Sequence, residues 1–152
     1  MDIMIRQTSV NDIDMLLEWR MEVLRHVFGT QNNGDVQSLY SANMEYYKEA
    51  IPKGDHVAVF AEIEGITAGC GGLCLYRELP SPDNPTGKCA YLMNIYTRQE
   101  YREHGIGKSV VEWLVGYAKK QGITKIYLET SECGRSLYES LGFSDMRDYM
   151  KI

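Results

Sequence analysis

One stretch limits the fold more than any other. Residues 89–97 (CAYLMNIYT) are apolar enough for a central strand buried on both faces. Residues 106–121 place Val110, Val111, Leu114, Val115 and Ala118 on one helical stripe. Between them runs a polar segment, Arg98-Gln99-Glu100-Tyr101-Arg102-Glu103-His104-Gly105-Ile106-Gly107-Lys108-Ser109. A strand ends, two glycines follow, and a helix begins. Glycine lets the backbone approach a ligand closely and adopt positive φ. The free N–H groups of the first helical turn point at whatever sits there, and the helix dipole favours an anion. Arg102 and Lys108 add formal positive charge. The segment reads as a cradle for a diphosphate or, more plainly, as a glycine-containing turn before a helix.

The rest of the pattern frames that unit. Residues 4–7 read as a short strand. Ser9 with Asp12 three residues on is a capping-box pattern. Ile13, Leu17, Leu24 and Val27 then keep helical spacing, which predicts a helix over 10–28. Residues 29–35 (GTQNNGD) are a loop, and a second helix runs over 36–51, ended by Pro52. Residues 56–62 and 66–76 form a hairpin across Glu64-Gly65. A loop with Pro80, Pro82 and Pro85 leads into the central strand. After the long helix come a strand over 125–129, a short helix over 134–141 stopped by Gly142, and a final strand from Phe143. The order is β-α-α-β-β-β-α-β-α-β. The expected class is α/β (α+β): a single mixed, mostly antiparallel sheet with helices on both faces.

With 152 residues the chain fits one domain, 1–152, at roughly 100–200 residues per domain. No repeat, linker or low-complexity stretch interrupts it. No apolar run approaches the roughly 20 residues of a membrane span. The polar N-terminus lacks the apolar core of a signal peptide, so the cytoplasm is the expected location and no membrane is expected as a partner. The net charge of −5 argues against a nucleic-acid partner, which usually demands a basic face. The charge is uneven: residues 1–101 carry 8 Lys and Arg against 14 Asp and Glu, residues 102–152 carry 8 against 7. That asymmetry suits one cationic and one anionic ligand. Cys70, Cys74, Cys89 and Cys133 show no C-x-x-C spacing, and no His pair sits at a zinc interval, so no metal is expected.

Three phosphate motifs compete for the glycine loop. A Walker loop, G-x-x-x-x-G-K-S/T, would end at Gly107-Lys108-Ser109, but Arg102 stands where its first glycine belongs. A dinucleotide fingerprint, G-x-G-x-x-G, fails at Val110. The pattern that fits is Arg102-x-x-Gly105-x-Gly107. With it, residues 95–108 (IYTRQEYREHGIGK) resemble the acetyl-CoA site of the GNAT family of N-acetyltransferases, which carry Gln/Arg-x-x-Gly-x-Gly/Ala between the fourth strand and the third helix. A second block, residues 131–143 (SECGRSLYESLGF), is similar to the family's C-terminal motif, a short helix ending in L-Y-E-x-L-G-F. The blocks stand one helix and one strand apart, as in the family, and the element order matches end to end.

The resemblance implies the GNAT acyl-CoA N-acyltransferase fold and an acetyl-CoA-dependent N-acetyltransferase. Such an enzyme passes acetyl to a primary amine of a small molecule or peptide by direct attack on the thioester. The alternative is a non-catalytic acyl-CoA-binding regulatory domain on the same fold. In the family the fourth strand splays from the fifth. By similarity Ile95 and Thr97 pair their backbone with the pantetheine arm, and a backbone N–H near Tyr96 meets the thioester oxygen. Arg102, Glu103, His104, Gly105, Ile106, Gly107 and Lys108 hold the pyrophosphate, mainly through backbone amides of 104–108, with Glu103 and His104 facing solvent. Ser131 bonds the pantetheine, and Arg135 reaches the cofactor or acceptor. Tyr138 matches the tyrosine that faces the CoA sulfur and is the implied general acid. Many members place a Glu on the fourth strand just before the loop. Here those positions are Tyr91, Leu92, Met93 and Asn94, which leaves Glu129 and Glu62 on neighbouring strands as bases acting through water. Asn94 could instead orient a water or the acceptor. Pairing of two copies is also common among relatives.

The first two helices and the 29–35 loop usually wall the acceptor site in this family. Here they carry Trp19, Tyr40, Tyr46 and Tyr47 with Glu18, Glu22, Glu45 and Glu49. Acidic and aromatic groups together suit a protonated amine.

Overall fold

The computed structural model describes residues 2–29 and 36–152. The chain forms β1 (Ile3–Gln7), α1 (Ile13–Phe28), α2 (Val36–Lys53), β2 (His56–Ile63), β3 (Ile66–Arg77), β4 (Lys88–Thr97), α3 (Ile106–Lys120), β5 (Lys125–Leu128) and α4 (Arg135–Ser140). One sheet runs in the order β1-β2-β3-β4-β5. Its neighbours are antiparallel except the parallel β4–β5 pair. The expected mixed sheet is therefore present.

The alternation of β2 sorts the core into two layers. Val57, Val59, Ala61 and Ile63 face Val110, Val111, Leu114 and Ala118 of α3. Ala58 and Phe60 face the other way, onto Leu16, Leu17, Trp19 and Val23 of α1 and Tyr47 of α2. Helices thus cover both faces, which is why β2 is buried at nearly every position. α3 sits unusually close to the sheet. A Cβ on Gly71 of β3 would lie 2.5 Å from Val110 Cγ1 and 2.8 Å from Ile95 Cδ1. Only glycine allows that approach, and it seats the start of α3 against the end of β4.

The capping box forms as expected. Asn11 N donates to Ser9 Oγ at 3.2 Å and Ser9 N to Asp12 Oδ2 at 2.8 Å. It closes a 3-10 turn over Val10–Asp12, so α1 proper starts at Ile13. Two expectations need correction. Pro52 lies inside the last turn of α2 rather than ending it at Ile51, because Gly54 N and Asp55 N close that end on Ile51 O and Ala50 O. No strand begins at Phe143. Its amide instead caps α4 by donating to Tyr138 O at 3.0 Å, and Asp148 takes a positive φ of 69° that breaks an extended run. The 29–35 loop, apart from Gly29, falls outside the described residues.

Candidate active site

The site is built where β4 outruns β5. Pairing between them covers Cys89–Leu92 and Lys125–Leu128 and then stops, so residues 93–97 of β4 have no strand partner on that side among the described residues. On the other side the β3 register slips between Cys70 and Gly72, where Asn94 takes a φ of 61°. This is a β-bulge, which re-aims the strand. Beyond it Tyr96 pairs with Cys70, and Arg98 N donates to Ala68 O at 3.0 Å. Antiparallel pairing alternates, so the amide of Tyr96 turns to β3 and the backbone groups of Ile95 and Thr97 face the open edge.

The loop that follows ends in unsatisfied amides. A 3-10 turn over Gln99–Tyr101 uses the amides of Tyr101 and Arg102. Gly105 then takes a φ of 82° as the N-cap of α3, and Ser109 N donates to Gly105 O at 3.0 Å. Between these points, the backbone N–H groups of 103–108 meet no backbone or side-chain acceptor among the described residues. Ile106, 1% exposed, pins this end of the helix to the core. The side chains of Glu103, His104 and Lys108 are exposed. His104 Nδ1 donates to Arg102 O at 2.9 Å. Arg102 folds back, with Nε on Thr97 O at 3.0 Å and Nη2 on His26 Nε2 at 3.2 Å. A run of unpaired amides at a helix N-terminus, flanked by Arg102 and Lys108, has the donors and charge that a diphosphate needs.

α4 borders the same opening from the α3 face. Tyr138 is half-buried against that core layer, with its ring edge-on to Phe143 at 5.8 Å. Burial pushes its phenol above the usual value. Gly134 makes room for it, since a Cβ there would stand 3.3 Å from the Tyr138 ring and 2.5 Å from Thr130 Oγ1. Ser131 is exposed at the start of a 3-10 turn over Glu132–Gly134.

On the opposite face, α1, α2, β2, β3 and β4 enclose a cavity of about 220 Å³ beside the bulge. Arg20, Asn43, Tyr46, Tyr47, His56, Cys74, Met93 and Asn94 line it. Tyr46 Oη lies 2.9 Å from His56 Nδ1 and 3.2 Å from Cys74 Sγ, and Cys74 Sγ lies 3.3 Å from Met93 Sδ. His56 is 6% exposed. Burial, then the nearby Arg20 charge, lowers its pKa to about 4, so it is neutral at pH 7. Burial raises the Tyr47 phenol to about 12.

Comparison with known proteins now settles the class. A model of the Acetyltransferase (GNAT) family matches residues 13–143. The chain belongs to the GNAT family. A predicted acetyltransferase from Clostridium acetobutylicum, crystallised with acetyl-CoA, superposes with a TM-score of 0.88 at 26% identity, covering 99% of this chain and 96% of that one. Probable N-acetyltransferase family 8 member 5 of Mus musculus is 33% identical over 96 residues, 60% of this chain. The ribosomal protein bS18-alanine N-acetyltransferase of Escherichia coli K12 is 34% identical over 59 residues, 37% of this chain. Each of these two matches spans 40% of the relative's length.

The GNAT motif residues do not all stand as the sequence suggested. The loop 102–108 and the open edge at Ile95 and Thr97 adjoin, and α4, which carries Tyr138, meets the loop where Leu137 packs on Gly107. Of the amides near Tyr96, its own is turned to β3 and that of Ile95 faces the open edge. Arg135 is ion-paired to Asp145 and Glu139. Of the two carboxylates considered as base, Glu62 is ion-paired to Arg6 at 3.5 Å on β2, with β3 between it and β4. Glu129 is exposed just past β5, beside Tyr91, on the cavity side of the sheet. The acidic acceptor wall does not form around the cavity. Arg98 holds Glu22 with two hydrogen bonds at 3.0 and 3.1 Å. Glu45 and Glu49 line an outer groove of α2, and Glu18 is exposed. Trp19 is core, with the Arg98 guanidinium 4.2 Å above its ring. Sequence reasoning missed Arg20, Asn43, His56, Cys74 and Met93. The one outward sign was a histidine opening a strand that is then apolar as far as Glu62.

Proposed function

We propose that this chain is an acetyl-CoA-dependent N-acetyltransferase that acts on a primary amine of a small molecule or peptide by direct attack on the thioester. The observation that carries the reading is the continuity of two backbone features. The unpaired amides of 103–108 follow the open edge of β4 at Ile95 and Thr97 across one 3-10 turn, and Arg102 Nε on Thr97 O ties the two together. An anion-binding helix end joined to a free strand edge suits a ligand with a diphosphate and an amide-bearing arm.

Bound acetyl-CoA supplies an activated acetyl thioester. The chain's own groups do the rest. The amides of 104–108 hold the diphosphate, with Arg102 and Lys108 adding charge. The Thr97 amide and the Ile95 carbonyl pair with the arm, while the Thr97 carbonyl is already taken by Arg102 Nε. The Ile95 amide donates to the thioester oxygen, where negative charge develops during attack. The amine enters from the cavity face and Tyr138 stands on the other, so nucleophile and leaving group are served from opposite sides. As the new N–C bond forms and the C–S bond breaks, Glu129 takes the amine proton through water and Tyr138 gives a proton to the sulfur. A phenol raised by burial is fully protonated at neutral pH and able to do so. The four cysteines are all unpaired, which fits a reducing, cytoplasmic setting.

Thiol release from acetyl-CoA, measured across a panel of primary amines, tests this. Release that requires an amine and yields its N-acetyl product is expected. Tight acetyl-CoA binding with no turnover on any amine would instead favour a regulatory acyl-CoA-binding domain.

A further inference from the structure

Among the described residues, the cavity beside the bulge is lined by one formal charge, and it is positive. No Asp or Glu among the described residues lines it, and its histidine is neutral at pH 7. The charge is Arg20, half-buried on the inner face of α1. Its Nε donates to Asn43 Oδ1 at 3.1 Å and its Nη1 to Asn94 Oδ1 at 2.9 Å. Among the described residues no carboxylate lies within ion-pair distance of it. Arg6, Arg98 and Arg135 each have a carboxylate partner. Two neutral amide oxygens therefore aim this guanidinium without neutralising it. A partly desolvated cation held this way is an incomplete pair, and a planar guanidinium is completed best by a carboxylate or phosphate.

The position of Arg20 ties this charge to the chemistry. Asn94, which it grips, is the bulge residue, and the next residue is Ile95, whose amide faces the open edge of β4. A cavity of about 220 Å³ is also smaller than the roughly 300–1,000 Å³ of pockets that take drug-sized ligands. Tyr46, Tyr47 and Met93 supply apolar surface around the remainder.

We propose that this cavity is the acceptor subsite and takes a small primary amine bearing a carboxylate or phosphate, with Arg20 binding the anion and the amine thereby set beside the bulge. This rests on the acyltransferase reading above and narrows its acceptor from amines in general to anionic ones. The cationic acceptor suggested by the glutamates of α1 and α2 gives way to it, since none of them lines the cavity.

The test uses the full chain, acetyl-CoA and matched amines. One pair is an α-amino acid and its amide, another an aminoalkyl phosphate and its amino alcohol, and a linear polyamine stands for the cationic class. Acetyl-CoA binding is measured separately by calorimetry. The wild type should prefer the anionic member of at least one pair by on the order of 10–100-fold in kcat/KM. Which pair shows it distinguishes carboxylate from phosphate. Arg20→Gln should erase that preference through KM while leaving acetyl-CoA affinity unchanged, and Arg20→Lys should restore part of it. Equal loss for both members of each pair, or a wild type that prefers the polyamine, overturns the anionic acceptor and leaves acyl transfer standing. A wild type that fails to bind acetyl-CoA overturns the transfer reading itself. Should Arg20→Gln not fold, the wild-type preference and Arg20→Lys decide the matter.

Discussion

The two sides of the β4 opening are built from different materials. On the α3 side the working groups are backbone: the amides of 103–108 and the free edge at Ile95 and Thr97. On the α1/α2 side they are side chains, Arg20, Asn43, Tyr46, His56 and Cys74, brought from four elements to Asn94 on a fifth. A backbone site needs only the right conformation, so its side chains are free to vary and its glycines are not. A side-chain site needs each residue in place and is open to respecification one residue at a time. The common half of the reaction, holding a cofactor, falls to the first. In the proposed reading, the choice of acceptor falls to the second.

The largest expected effect lies at Tyr138, the side chain on the α3 side proposed to give the sulfur its proton. Tyr138→Phe should lower kcat by about 100-fold, with acetyl-CoA affinity changed by less than about 3-fold, in steady-state kinetics and calorimetry. An unchanged kcat would reduce Tyr138 to packing and leave that side wholly backbone. Next, Gly71→Val forces a side chain into Val110 and Ile95. It should cost about 1–3 kcal/mol of stability in urea unfolding and weaken acetyl-CoA binding, because the start of α3 must move. Full stability with normal binding would show that the close approach of α3 does not position the amides.

Smaller effects separate scaffold from site on the α1/α2 side. Glu22→Gln should cost on the order of 1 kcal/mol, since the pair with Arg98 is only partly shielded. The hydrogen bond from Arg98 holds the Glu22 carboxyl below its ordinary range in the folded state. Its contribution is therefore full above the unfolded-state value of about 4.3 and is lost as pH falls through the lower folded value. The gap in Tm between wild type and Glu22→Gln should close below about pH 4. A gap independent of pH would show that charge is not the source. Smallest of all, Lys108→Ala removes an exposed charge 4.0 Å from Glu112 and should raise KM for acetyl-CoA only about 2–3-fold. A loss of ten-fold or more would mean that side-chain charge, not backbone, carries the diphosphate.

The same contrast explains what could be read from sequence. Arg102-x-x-Gly105-x-Gly107 and the helix ending in Leu137-Tyr138-Glu139-Ser140-Leu141-Gly142-Phe143 are local, because a backbone conformation is written in consecutive residues. Strand alternation and the stripe on α3 were legible for the same reason. The cavity was not. Arg20 and Asn94 are 74 positions apart, and Arg98 and Glu22 are 76 apart. No local pattern announces that Glu22 is spent on Arg98 while Arg20 is left, among the described residues, without a carboxylate. Nor did composition show that Gly71 exists to admit Val110. The missing strand after Phe143 is a third kind of case. The apolar residues there looked extended, but the Phe143 amide is taken by the end of α4.

The most direct measurement is an amide-resolved NMR titration of the ¹⁵N-labelled chain with acetyl-CoA. Saturable shifts concentrated at the amides of 104–108 and at Ile95 are expected, with little change at Tyr96, which is already bonded to β3. Acetyl-CoA binding that leaves those amides unmoved, or no binding at all, would contradict the account.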